Sequence, residues 1–372
     1  MISLPWDVIS QFDLGDTIGT IEPFGDGLIN DTYLLTTGSP DRAKIILQRI
    51  NPHVFPQPER LMENLQTLLR HIESRSSDGA TDVNKLQFPR LYASHEQKSL
   101  VVDKHGNYWR AQSFINNTYT LKTTDKLTDA SEVGRALGLF HQMANDLDPA
   151  LLHNALPDFH ITPRYFQRFE KIRIGTTKNT QPLNTDNSQD LQFCLNFVET
   201  RKSLINILEA PKQAGDLPLR TIHGDPKLNN VLFNIYSHRA VSLIDLDTVQ
   251  PGLIHYDVGD CLRSCCGRIE TADMEPLSFS LPFCRAILES YLKETRDFLT
   301  IKEQAFFYDA IHLIPFELGL RFLTDYLEDN PYFKVDTPNQ NLNRAKKQFQ
   351  LTASIERQKQ EIKTIISEIT GI

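Results

Sequence analysis

The chain is poor in the features that announce a class of protein at once. Its 372 residues include only five cysteines, at positions 194, 261, 265, 266 and 284, an odd number with no Cys-x-x-Cys pair. Neither a disulfide framework nor a zinc module is expected from them, and a reducing cytoplasm is. Basic residues are outnumbered, 39 Lys and Arg against 47 Asp and Glu, for a net charge of −8. That balance argues against a dedicated nucleic-acid surface, although it leaves room for a local phosphate site. No apolar run approaches membrane-spanning length. Met1 to Asp13 has no basic segment and includes Pro5 and Asp7, so no signal peptide is expected. Internal repeats are absent, and nothing points to an obligate protein partner.

What is present is a soluble globular composition, 40% hydrophobic and 23% charged, long enough to bury an ample core. One stretch organises the rest. Thr221-Ile222-His223-Gly224-Asp225-Pro226-Lys227-Leu228-Asn229-Asn230 reads as a loop bearing acid and amide groups. It leads into a short strand (Val231 to Asn234), a polar turn, and a second strand (Val241 to Ile244) that ends in Asp245 and Asp247. Either half alone is equally well explained as a turn or a solvated strand end. Together, with the hairpin between them, they resemble a kinase catalytic loop. In that chemistry one Asp accepts the proton of the acceptor hydroxyl, here Asp225. An Asn five residues on and an Asp beyond the hairpin hold Mg²⁺ against the phosphates of ATP, here Asn230 and Asp245. Asp247, beside the metal candidate, either reaches acceptor hydroxyls or supports the ligand next to it.

Upstream, residues 15 to 50 read as three strands with Gly25 and Gly27 at the first turn, where backbone amides can approach phosphates closely. Kinases place a lysine on the third strand. This chain has Gln48 and Arg49 there, and strand alternation lets only one face the nucleotide: Gln48 by register, Arg49 by charge. The partner acid of that position would be Glu59 or Glu63 in a helix from Pro58 to Ile72, whose leucines form an apolar stripe. The polar stretches Ser74–Asn84 and Gly175–Gln189 read as loops. Helices are expected over Asp129–Asn145, Asp158–Ile174, Leu191–Leu208 and Asn341–Ile369. Another opens near Asp257, with Asp260 paired to Arg263 and bracing the catalytic loop. Arg321 sits among large apolar residues and must meet a carboxylate or a substrate.

His223-Gly224-Asp225 with Asn230, then Ile244-Asp245, resembles the aminoglycoside phosphotransferase and choline kinase superfamily. The longer strings Lys227 to Phe233, Ile244 to Gly252 and Tyr256 to Asp260 are similar to its N-acetylhexosamine 1-kinase branch, as are Gly27 to Tyr33 and Ile46 to Asn51. The resemblance implies an α+β, two-lobed protein-kinase-like fold. A small β-rich lobe would cover 1–114 and a larger, mainly helical lobe 115–372. It further implies an adenine-binding hinge at Ile115, ATP and Mg²⁺ as cofactors, and a small-molecule sugar as acceptor with Arg321 beside it. Choline, homoserine or an aminoglycoside are the alternative acceptors, and a pseudokinase is the reading without turnover.

Overall fold

A computed structural model describes residues 5–25, 29–39, 41–75, 85–176, 188–268 and 277–372. After a single helical turn, α1 (Trp6–Ile9), the three alternating segments form β1 (Ile18–Pro23), β2 (Asp31–Thr37) and β3 (Lys44–Ile50). Helix α2 (Pro58–Ser74) follows, then β4 (Leu91–Tyr92), β5 (Val101–Val102) and β6 (Tyr108–Ser113). These six strands make one antiparallel sheet in which β6 lies beside β3. Period-two alternation gives the sheet two different faces. Tyr33, Leu35, Ile45, Leu47, Trp109 and Ala111 are buried on one of them, covered by Val8, Ile9 and Phe12. On the other, Thr32, Gln48 and Arg110 are aligned across three strands.

Helix α2 buries Leu61, Leu65, Leu68, Leu69 and Ile72. They pack into the same core as the helices that follow, each worth roughly 1.5–3 kcal/mol. The sheet is thereby fastened to the rest of the molecule through α2. Its Pro58 stands in the first turn, where a missing N–H costs no helical hydrogen bond.

The remainder is mainly helical. After β7 (Thr118–Tyr119) come α3 (Leu127–Ala144), α4 (Thr162–Thr176), α5 (Ser188–Glu199) and α6 (Glu209–Gln213). The stretch around His223-Gly224-Asp225 is built from β8 (Arg220–Ile222), β9 (Val231–Asn234), β10 (Ala240–Leu243) and β11 (Gln250–Gly252). Strands β9 and β10 form the expected hairpin, and β8 pairs with β11. Helices α7 (Ile254–Cys266), α8 (Leu281–Thr295), α9 (Ile301–Ala305), α10 (Phe307–Leu327), α11 (Gln340–Arg357) and α12 (Lys359–Thr370) complete the chain. A small antiparallel sheet region followed by a helical part is the architecture the resemblance implies.

Three boundaries differ from expectation. Helix α4 begins at Thr162 rather than Asp158, because Asp158 and His160 take left-handed backbone angles (φ 65° and 58°) that a right-handed helix excludes. The helix expected over Leu191–Leu208 stops at Glu199, and a 3-10 turn follows at Lys202–Leu204. The last helix is two helices, broken at Gln358. Most of both polar loops lies outside the described residues. All five cysteines are buried thiols. No described helix is long and apolar enough to cross a membrane.

Candidate functional site

The catalytic stretch is held from below by a buried acid. Asp257, on the first turn of α7, accepts the backbone N–H of His223 at 2.7 Å and that of Gly224 at 2.8 Å. Its Oδ2 also lies 2.9 Å from His141 Nε2. The bracing expected of Asp260 therefore belongs to Asp257, one turn earlier on the same helix. Asp260 is paired with Arg263 at 2.7 Å as expected, while its Oδ2 finds no hydrogen-bond partner among the described residues. Gly224 has φ +86°, and a Cβ there would lie 2.7 Å from the Thr248 backbone oxygen. Only glycine fits.

His223 ties the two halves of the pattern together. Its Nε2 donates to the Ile244 carbonyl at 3.1 Å, and its Nδ1 accepts the Asp225 N–H at 3.3 Å. Burial pushes its pKa down, which keeps the neutral ring this pattern needs. His160 bridges Gly224 O (3.0 Å) and Glu317 Oε1 (2.9 Å). Burial would lower its pKa, but the Glu317 carboxylate outweighs that and raises it. Glu317 is also taken by the Thr162 hydroxyl at 2.6 Å.

At the mouth of this scaffold, Asp225 is half-buried and pairs with Lys227 Nζ at 2.5 Å. Asn230 donates its amide to the Asp225 carbonyl (2.8 Å) and to Oδ2 (3.1 Å), committing its NH₂ and leaving Oδ1 for a cation. Asp245 takes a left-handed conformation, φ 66°, just beyond the end of β10. Asp245 is exposed to solvent, beside the buried Asp247 and the half-buried Asp225. Desolvation there, then the charges of Asp247 and Asp225, push its pKa up to about 7, against the pull of Lys227 and Arg110. Such a crowd of carboxylates is short of positive charge and suits a divalent cation. No group of three His, Cys, Asp or Glu makes a ready metal cage among the described residues. Two protein ligands completed by phosphate and water oxygens is the way Mg²⁺ is commonly held.

The sheet region answers the question left open on β3. Gln48 faces the cleft, whereas Arg49 turns to the other face and pairs with Asp31, Nε to Oδ2 at 2.8 Å. Neither Glu59 nor Glu63 reaches Gln48: Glu59 hydrogen-bonds Tyr108, and Glu63 pairs with His153 at 2.6 Å. From α2, Met62 reaches this point, its sulfur 3.9 Å from Arg110 Nη1. Asp247 is 1% exposed and held from the sheet region. Its Oδ2 accepts Asn30 Nδ2 at 2.6 Å, and its Oδ1 lies 2.5 Å from Arg110 Nη1. It does not open toward an acceptor. Gly25 has φ +75°, with no described residue within 4 Å of a Cβ placed there, which suits a close approach of its backbone to phosphate; Gly27 lies outside the described residues. Ile115 is half-buried at the connection between the two parts, and its carbonyl accepts the Thr118 hydroxyl at 2.7 Å.

Arg321, one turn after Glu317 on α10, has no carboxylate within ion-pair distance among the described residues. It lies instead between three rings, 5.1 Å from Tyr165, 5.5 Å from Phe159 and 5.6 Å from Phe333. Burial opposes its charge, and Tyr165, Tyr332, Glu317 and Asp260 outweigh that, so it stays firmly protonated.

Sequence reasoning missed Arg110, Asn30, Asp257 and the full part played by His160. Arg110 alternates with apolar residues on its strand, a signal that becomes legible only when the β3–β6 register is known.

A model of the phosphotransferase enzyme family matches residues 20–278. Among solved structures, a microcompartment-associated aminopropanol kinase superposes with a TM-score of 0.62 at 16% identity, covering 97% of this chain and 98% of its own. An ethanolamine kinase of Plasmodium vivax gives 0.57 at 13% identity, covering 95% and 84%. An amicoumacin kinase solved with AMP-PNP, Ca²⁺ and Ami gives 0.55 at 14%, covering 93% and 96%. At such identities these likenesses establish the shared fold.

Proposed function

The chain belongs to the phosphotransferase enzyme family, and from that premise we propose an ATP-dependent, Mg²⁺-assisted kinase acting on the anomeric hydroxyl of an N-acetylhexosamine to give the sugar 1-phosphate. Transfer to an alcohol oxygen is what the family does; the sugar is our reading. Asp225 would accept or hydrogen-bond the hydroxyl proton as its oxygen attacks the γ-phosphorus and the bond from phosphorus to the ADP oxygen breaks. Lys227 holds Asp225 in place and can follow charge onto the transferring oxygens. Asn230 and Asp245 would hold the cation, which neutralises phosphate charge. The nucleotide would lie under the β1–β2 turn at Gly25, with adenine at Ile115.

The observation that carries the acceptor class is Arg321. Three aromatic rings form the kind of cage that recognises a quaternary ammonium, but here a guanidinium already fills it. No carboxylate among the described residues pairs with it, so its N–H groups can donate to hydroxyl or acetamido oxygens from a rigid fork, and a cationic headgroup would be repelled. An amino-alcohol acceptor is the second reading. Asp260 favours it, since a buried carboxylate oxygen without a partner could take an ammonium, and two of the structures with this fold are described as aminopropanol and ethanolamine kinases.

Incubating the protein with Mg-ATP and a panel of N-acetylhexosamines, choline, ethanolamine, homoserine and an aminoglycoside, with ³¹P NMR to locate the new phosphate, tests the choice. A phosphate on the anomeric oxygen is expected. Turnover of an amino alcohol with none of any sugar would replace the first reading by the second.

A further inference from the structure

The side chain that faces the cleft from β3 is the uncharged Gln48, yet a cation reaches the same place from the next strand. Strands β3 and β6 pair with Gln48 directly opposite Arg110, close enough for the side chains to meet. Gln48 Oε1 accepts Arg110 Nε at 3.0 Å and Nη2 at 2.7 Å, and its own Nε2 donates to Thr32 Oγ1 at 3.1 Å. The amide is thus fixed as a two-point acceptor that aims the guanidinium. Nη1 lies 2.5 Å from Asp247 Oδ1, an ion pair without hydrogen-bond alignment, and both side chains are almost wholly buried, 2% and 1% exposed. Asp247 spends its second oxygen on Asn30, whose Oδ1 in turn accepts the Asn51 backbone N–H at 3.0 Å.

We propose that Arg110 is the cation this chain uses in place of a third-strand lysine, acting through Asp247 as a positioning residue for the loop that presents Asp245. In the usual arrangement the lysine is paired with an acid on the following helix. Here both members have moved. The cation comes from β6, and the acid comes from the metal-side loop, because the α2 side chain at this point is Met62 and the glutamates of α2 point elsewhere. An arginine suits the new position because its fork bonds Gln48 on one edge and still reaches Asp247 with the other, which a lysine ammonium cannot do from one point. The pair also crosses from the sheet region to the catalytic hairpin. Setting the metal loop and docking the sheet onto the helical part are therefore one event in this chain.

The inference rests on the nucleotide half of the proposed function and not on the identity of the acceptor, so it is tested by binding alone. A non-hydrolysable ATP analogue is titrated calorimetrically, with and without Mg²⁺, into the wild type, Arg110→Gln and the double variant Arg110→Gln/Asp247→Asn. Near-UV circular dichroism verifies the fold of each. Wild-type protein that binds no Mg-nucleotide would count against the kinase reading itself and be visible in the control. Otherwise Arg110→Gln should bind the Mg-nucleotide about 10- to 100-fold more weakly, the range for residues that orient a ligand group. Affinity for the metal-free analogue should change far less. The double variant, which leaves no buried charge unpaired, should lose no more than the single one, since the two residues act as a unit. If the lone buried carboxylate unfolds Arg110→Gln, the double variant decides by itself. Wild-type Mg-nucleotide affinity in a folded Arg110→Gln or in the double variant would overturn the proposal.

Discussion

His223 donates from Nε2 to the Ile244 carbonyl across 3.1 Å, and through this contact one neutral ring ties the loop of Asp225 to the residue before Asp245. The proposed base and the proposed metal ligand are separated by a whole hairpin, and this contact holds their two loops together. His223→Gln keeps a donor but cannot serve both partners with one planar ring. It is expected to lower kcat about 10- to 100-fold with little change in nucleotide affinity. An unaltered kcat would assign the bridge to packing alone.

Asp225→Asn should be far more severe and more selective. A general base is typically worth about 10²–10⁴ in rate, and in the proposed reaction Asp225 meets the acceptor rather than the nucleotide. Mg-ATP affinity should stay within a few-fold while kcat collapses. Retention of more than a tenth of wild-type kcat with the true acceptor would remove Asp225 from the role.

The two acids after the hairpin should separate cleanly. Asp245 is reachable by solvent and has no hydrogen-bonded side-chain partner among the described residues, and asparagine tolerates its left-handed backbone. Asp245→Asn should abolish Mg²⁺-dependent nucleotide binding with a change in stability of only about 0.5 kcal/mol. Asp247→Ala breaks a buried pair and should cost about 3–5 kcal/mol. Chemical denaturation and calorimetry on both variants are the measurements; Mg²⁺ binding surviving in Asp245→Asn would point to the wrong carboxylate.

The difference between these two acids marks how far the sequence could be read. Asp225, Asn230 and Asp245 were legible because their spacing brackets a hairpin that is itself predictable from alternation and a turn. Asp247 was ambiguous because its partners, Asn30 and Arg110, lie 217 and 137 positions away, and no local pattern encodes such contacts. The choice between Gln48 and Arg49 yielded to strand register, which depends on pairing with β2 and β6. Asp257 and Asp260 share a helix one turn apart, and only the packing of α7 beneath the loop decides which one receives its amides. The broken backbone at Asp158 and His160 was hidden for a related reason: His160 accepts its left-handed angle because Glu317 and Gly224, far along the chain, hold both ring nitrogens.

That His160–Glu317 pair makes stability depend on pH. The folded pKa of His160 is raised above its ordinary value of 6.5. Its stabilisation is therefore complete below about pH 6.5 and is lost as pH rises through the folded value. Comparing denaturation midpoints of wild type and His160→Gln from pH 5.5 to 9.5, the wild-type advantage should be largest at the acid end and shrink toward the alkaline end. An advantage that grows with pH would contradict the assignment.

Arg321 separates the two acceptor readings most sharply. Glu317, the acid one turn earlier, is already engaged by His160 and Thr162, so the guanidinium is not held by the obvious structural partner. Removing it should raise the KM for an N-acetylhexosamine. A lost hydrogen bond to a charged group suggests about 1.5–3 kcal/mol, or roughly 10- to 150-fold, with the KM for ATP little changed. Arg321→Lys should rescue poorly, because an ammonium cannot present the same fork from between Phe159, Tyr165 and Phe333. Emptying the cage should act oppositely on choline. With the repelling charge gone and three rings exposed, Arg321→Ala should phosphorylate choline better than the wild type does. If Arg321 merely fills space, Arg321→Ala will lower the melting temperature and leave both acceptor constants where they were. Measuring KM for sugar, choline and ATP together with the melting temperature on one preparation distinguishes these cases: an intact sugar KM in a destabilised protein would remove Arg321 from the acceptor pocket, and with it the principal structural support for a sugar.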